Sequence, residues 1–143
     1  MGRRNGAIVG LLLLPLAVLA GCASGSTAGG VPAGTDRPEN DLVVEIDRGA
    51  GSPVERYTLT CAGPGEGDLP DAAAACTHLQ RMSEPFAPLP ADVMCSQQYG
   101  GPQTARVTGR WGGEPVDLTL SRTDGCRISQ WDALGPLLPG PVG

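Results

Sequence analysis

The sequence predicts an α+β domain of about 100 residues, in which an antiparallel sheet is covered by helix and stapled by disulfides. Three observations predict it. Apolar residues alternate with polar ones in four short stretches between residues 42 and 122, one further stretch repeats its apolar residues at steps of three and four, and four cysteines follow an export segment. Aromatic residues make up only 3% of the 143-residue chain, while 22 Gly and 14 Pro supply turns. The core must therefore be built from Val, Leu and Ala, and a core that thin needs covalent support.

Residues 1–21 contain a basic start (Arg3, Arg4), an apolar run from Ala7 to Leu19, and Leu19-Ala20-Gly21 just before Cys22. The run is roughly 13 residues and holds Pro15, short of the ~20 that span a bilayer as a helix, so it reads as a signal peptide. Its end looks like a bacterial lipobox, where small residues admit a peptidase that cuts before a diacylglyceryl-cysteine. Cys22 is then a lipidated first residue. Its acyl chains place the protein outside the cell, tethered to the outer face of the membrane. Residues 23–40 are rich in Gly, Ser, Thr, Ala and Pro without apolar periodicity. They form a flexible tether reaching roughly 25 Å.

The folded domain is expected over residues 41–134. Leu42, Val44 and Ile46 alternate, as do Tyr57, Leu59 and Cys61, with turn chemistry from Arg48 to Pro53 between them. That pattern predicts an antiparallel pair of strands. Thr104–Trp111 and Val116–Arg122 predict a second pair around the Gly112-Gly113 bend. From Pro70 to Met82, Ala72, Ala75, Cys76, Leu79 and Met82 share one helical face. Ser83–Pro90 contains three prolines and reads as an extended connector into Asp92-Val93-Met94-Cys95. Asp124-Gly125 reads as a turn and residues 135–143 as a loose tail. Trp111 and Trp131 read as core, with dimer anchoring as the alternative. Arg106, Arg110, Arg122 and Arg127 read as a solvated face.

Cys61, Cys76, Cys95 and Cys126 reach an oxidising compartment and should pair. Sequential pairing is the local option, but spacing alone does not choose among the three connectivities. Each local loop closure contributes about 3–4 kcal/mol, a large share of a typical 5–15 kcal/mol. CxxC-type spacings are absent, so the cysteines predict no metal site. His78 is the one histidine and is placed beside the helical stripe on its solvent side. Neither a triad with its imidazole base nor a His-rich metal centre is assembled from these residues, so no enzyme and no cofactor are expected. With net charge −5 and no run of Arg, nucleic acid is not a partner.

Cys95-Ser96-Gln97-Gln98-Tyr99-Gly100-Gly101-Pro102 is polar and turn-rich, yet begins at a cysteine that a disulfide ties to the body. Such a stapled, extended, exposed segment can enter a protease cleft as an added strand. Several segments carry a resemblance: Asp92-Val93-Met94-Cys95, Tyr99 four residues after that cysteine, Trp111-Gly112-Gly113 followed by Cys126, and Tyr57-Thr58-Leu59-Thr60-Cys61. Together they resemble the Streptomyces subtilisin inhibitor family over about residues 41–132.

The resemblance implies sequential disulfides and a five-stranded antiparallel sheet with two short helices, the subtilisin inhibitor-like sandwich, often as a homodimer. It also implies substrate-like inhibition of secreted serine proteases of the subtilisin type. In the family pattern the scissile bond falls between Gln97 and Gln98. Gln97 would fill the primary specificity pocket and Met94 a hydrophobic pocket three residues upstream, with Cys95, Ser96, Gln98 and Tyr99 completing the contact. Two departures bear on stiffness. Ser96 stands where many relatives have Pro and fixes no backbone angle, and Gly100-Gly101 adds backbone freedom. A second reading keeps the scaffold as a surface-anchored binding module that uses its loop or outer sheet face on a non-protease partner.

Overall fold

In the sheet, three cross-strand rows of side chains on one face define the core, as the alternation requires. Leu59, Leu42 and Val116 lie in one row, Tyr57, Val44, Val107 and Leu118 in the next, and Ile46, Ala105 and Leu120 in the third. The computed structural model describes residues 38–141. The signal peptide, Cys22 and nearly all of the tether lie outside the described residues. The strands are β1 (Asp41–Asp47), β2 (Glu55–Thr60), β3 (Thr104–Trp111) and β4 (Glu114–Ser121), all antiparallel in the order β2-β1-β3-β4. Both expected pairs form, and β1 joins them by pairing with β3.

Two helices cover this face. α1 (Ala72–Gln80) buries Ala75, Cys76 and Leu79, the stripe expected from the sequence. α2 (Gly125–Ala133) buries Trp131. Full burial of a Leu or Val side chain contributes about 1.5–3 kcal/mol, and Leu42, Val44, Ile46, Leu59, Leu79 and Val107 are all completely buried. Trp111 is half-buried, meeting Phe86 edge to face at 5.8 Å between ring centroids. On the opposite face Arg56 pairs with Glu45, and Arg106 pairs with Asp117 at 2.8 Å, all in contact with solvent.

Four expectations are corrected. The sheet has four strands among the described residues rather than five. The segment after β2 adds only the Thr60–Glu66 bridge, because Gly63-Pro64-Gly65 and Gly67 bend it away. The long stretch from Ser83 to Pro102 runs without ladder pairing, and its prolines have no N–H to donate. Residues 135–143 are not wholly loose: a 3-10 turn at Gly135–Leu137 sinks Leu137 and Leu138 into the core, an apolar gain that outweighs the turn-rich composition. Arg122 is buried rather than solvated, because it finds partners inside. His78 is half-buried, its Nε2 2.7 Å from the Ala133 carbonyl oxygen.

The register gives the domain two distinct ends. Asp41 lies opposite Arg110, and the Asn40 side chain accepts the Gly112 N–H at 2.6 Å, so the chain enters beside the β3–β4 bend. Asp47 lies opposite Thr104 at the other end. The eight residues of β3 separate these ends by about 25 Å. The segment leading into Thr104, the end of β4 and the start of α2 all gather at the second end.

Candidate functional site

Between Pro90 and Gln103 the chain crosses the second end of the sheet as an exposed loop held at selected points. Its base is covalent: Cys95 is bonded to Cys126 in the first turn of α2, with the Cα atoms 5.3 Å apart. The other disulfide joins Cys61 to Cys76 and pins α1 to the end of β2. Both follow the sequential pairing.

One residue beyond the covalent base, the Ser96 carbonyl accepts two N–H groups, from Gln98 at 2.9 Å and from Gly125 at 3.0 Å. The first closes a tight turn with Gln97 at its apex. The second uses a donor that the opening turn of a helix leaves without an internal partner. Asp124 caps that same turn, its carboxylate accepting the Arg127 N–H at 2.9 Å. This hydrogen bond holds the Asp124 carboxyl below the usual carboxylate range, with the Arg127 guanidinium adding to the effect. A Cβ at Gly125 would meet the Ser96 hydroxyl, so a larger residue there would have to turn that side chain aside.

On the far side, Gly100 donates its N–H to the Arg122 carbonyl at 2.7 Å and accepts from Arg122 Nε at 3.2 Å. Ile128 and Arg122 occupy the space that a Cβ at position 100 would fill. The freedom expected of Gly100 is therefore restrained by its hydrogen bonds to Arg122, and a larger residue there would have to displace the Ile128 side chain. Ser96, which fixes no backbone angle through its own ring, has its carbonyl fixed from outside.

From just before the first anchor up to Gly100, the side chains other than Cys95 face solvent. Met94 is 94% exposed and Tyr99 71% exposed, and Ser96, Gln97 and Gln98 are exposed as well. None of the five carries charge. All six residues of the expected loop thus lie in one continuous segment at one end of the domain. The sulfur atoms of Cys95 and Cys126 sit near the Asp124 carboxylate, but both are spent in the disulfide and offer no thiolate to a metal. His78, on α1, makes its polar contact with the Ala133 carbonyl.

The second helix implied by the resemblance was not located from the residues, which read Asp124-Gly125 as a turn rather than the start of α2, and the buried Arg122 was missed. A signal for the helix was present: Asp124 as an N-cap residue, then Ile128, Trp131 and Leu134 at steps of three. Nothing in the sequence separated Arg122 from the solvated arginines.

Comparison with known proteins identifies the family of the domain. The profile of the subtilisin inhibitor-like family matches residues 41–122. The chain belongs to the subtilisin inhibitor-like family. It is 34% identical over 124 residues to the subtilisin inhibitor of Streptomyces violaceus, covering 78% of this chain and 84% of that protein. It is 36% identical over 91 residues to subtilisin inhibitor-like protein 2 of Streptomyces rochei, covering 59% of this chain and 80% of that one. Among solved structures, Streptomyces caespitosus sermetstatin in complex with Bacillus licheniformis subtilisin aligns with a TM-score of 0.45 at 24% identity, over 70% of this chain and 97% of that one. The family consists of protease inhibitors, not enzymes.

Proposed function

We propose that the protein is a substrate-like inhibitor of subtilisin-type serine endopeptidases, with Gln97-Gln98 as the bond presented for cleavage. The observation that carries this reading is the anchoring of an exposed, uncharged segment on both sides of that bond. Ser96 is held through the Cys95–Cys126 disulfide and the Gly125 N–H, and Gly100 is held through Arg122. A flexible substrate loses chain freedom on binding, whereas a segment already fixed has little left to lose, so affinity rises. If the bond is cut, the new ends stay in place and religation competes with release. The names of the relatives favour the same reading.

In this reading Gln97 enters the primary specificity pocket and Met94 the hydrophobic pocket three residues upstream, while Cys95, Ser96, Gln98 and Tyr99 make main-chain and flanking contacts. Gln97→Lys should transfer inhibition towards trypsin-like enzymes, which take basic residues in that pocket, and Met94→Asp should weaken binding to subtilisin. An unchanged inhibition profile in both variants would remove these residues from the contact.

The protein acts, on the same proposal, at the outer face of the cell membrane, held by lipid on Cys22. The two-ended fold suits this placement. The described chain enters the sheet beside the β3–β4 bend, and the loop lies at the opposite end of the sheet, so attachment through residue 40 leaves the loop uncovered.

A further inference from the structure

Arg122 stands just past β4 with its side chain turned inward and is only 6% exposed. Burying a guanidinium is costly unless its donors are matched, so its partners show what the position serves. Nη1 donates to Asp132 Oδ1 at 2.6 Å, and the guanidinium carbon lies 5.9 Å from the centroid of the Trp131 ring. Nε donates to the Gly100 carbonyl at 3.2 Å, and the Arg122 carbonyl accepts the Gly100 N–H at 2.7 Å. One residue thus holds both main-chain polar groups of Gly100, while its side chain is itself held by α2. A planar, forked guanidinium can serve Asp132 and Gly100 together; the point-like ammonium of Lys has no such fixed fork.

Resting on the inhibitor reading above, we propose that Arg122 is a positioning residue for the loop: it fixes Gly100 and thereby keeps the segment after Gln97-Gln98 in register before and after cleavage. The segment before that bond is held covalently by Cys95–Cys126, and the segment after it has no covalent staple of its own. Hydrolysis adds one water across the bond, leaving a carboxylate on Gln97 and an amine on Gln98. Resynthesis expels that water, and it requires the amine to return to the carboxylate. Gln98 is two residues from Gly100, so the amine stays near only while Gly100 stays put.

The test uses the full chain secreted with Cys22→Ser, together with Arg122→Leu, Arg122→Lys and a remote control, Leu79→Ala. In the free protein, both Arg122 variants should speed hydrogen exchange of the Gly100 amide about tenfold more than that of the Val44 and Val107 amides, which report any loss of global stability. With subtilisin present, the same variants should be cut at Gln97-Gln98 about tenfold faster, and should settle at a higher ratio of cut to intact chain. Leu79→Ala should lower global stability and speed the Val44 and Val107 amides, which open with the whole domain, while leaving Gly100 exchange and cutting at Gln97-Gln98 unchanged. Unchanged Gly100 exchange in Arg122→Leu, or an equal change in Leu79→Ala, would overturn the proposal. If the parent chain stopped no protease, the inhibitor reading would fail, while the exchange data would still decide whether Arg122 positions the loop.

Discussion

The Gly125 N–H, in the opening turn of α2, donates to the Ser96 carbonyl at 3.0 Å, one residue along from the Cys95–Cys126 disulfide at both of its ends. A covalent bond and a main-chain hydrogen bond therefore act side by side between the loop and the helix. The disulfide sets the distance between the two segments, and the hydrogen bond sets the orientation of the peptide that precedes Gln97. This pairing makes the loop part of the folded domain, and it leads to separate expectations for the staple, the cap, the core and the tether.

Replacing both Cys95 and Cys126 by Ala should turn an inhibitor into a substrate. Loss of the bridge should cost about 2–4 kcal/mol of stability. It should also free the loop base, so that subtilisin cleaves Gln97-Gln98 to completion. Denaturant unfolding and a time course of intact mass would read the two effects. A variant that lost stability yet stayed uncut would show that hydrogen bonds alone hold the loop.

Stability should fall on both sides of a broad plateau in pH. A hydrogen bond from Arg48 holds Glu55 below its ordinary value, as the Thr58 N–H does for Asp68, Arg106 for Asp117 and the Arg127 N–H for Asp124. Each carboxylate binds its proton more weakly in the folded chain than in the unfolded one. Their contribution is thus present above about pH 4, the unfolded carboxyl range, and is lost as pH drops through the lower folded values. Tyr57 is raised by its hydrogen bond to Glu55, so its contribution holds below about pH 10 and is lost as pH climbs past that. Urea midpoints measured against pH should show this plateau, and Asp124→Asn should shrink the acid limb while keeping a good capping residue. A midpoint falling steeply between about pH 5 and 8 would contradict the assignment.

Leu79→Ala should separate folding from loop geometry. Leu79 is fully buried in α1, away from the loop, and truncation of such a residue costs about 2–5 kcal/mol. The unfolding midpoint should drop while inhibition at low temperature, where the domain stays folded, remains unchanged. A parallel loss of inhibition would show that the core and the loop are coupled more widely than the contacts indicate.

The position of the anchor should matter. Cys22→Ser should release the protein from the membrane fraction into the medium, read by fractionation and mass. On vesicles, chain anchored at its amino end should titrate subtilisin as fully as the released form. Chain anchored instead through its carboxyl end should titrate less, because Pro139 contacts Arg48 at the loop end of the sheet. Equal titration from both anchors would remove the orientation argument.

Much of the scaffold was legible because β1 and β4 each bury one face cleanly, and Leu42, Val44 and Ile46 or Val116, Leu118 and Leu120 announce that face in sequence. α1 was legible for the same reason, through Ala75, Cys76 and Leu79. α2 was not, since polar Arg127, Ser129 and Gln130 leave Trp131 as its one fully buried residue and the apolar stripe is too thin to read. The cysteine spacing left three pairings open, and it took the family resemblance to order them. Arg122 was misplaced because strand-end arginines are normally solvated; its burial depends on Asp132, Trp131 and Gly100, which only the tertiary fold brings together. The six loop residues came from the resemblance, whereas their anchors at Gly125 and Arg122 came from the structure.

The most direct test of the inhibitor account is titration of active-site-quantified subtilisin with the full chain carrying Cys22→Ser, following residual activity and inhibitor mass together. The account predicts loss of activity at one inhibitor per enzyme, with any cleavage slow and confined to Gln97-Gln98. Undiminished activity with rapid cutting at that bond would contradict it and leave the loop an ordinary substrate.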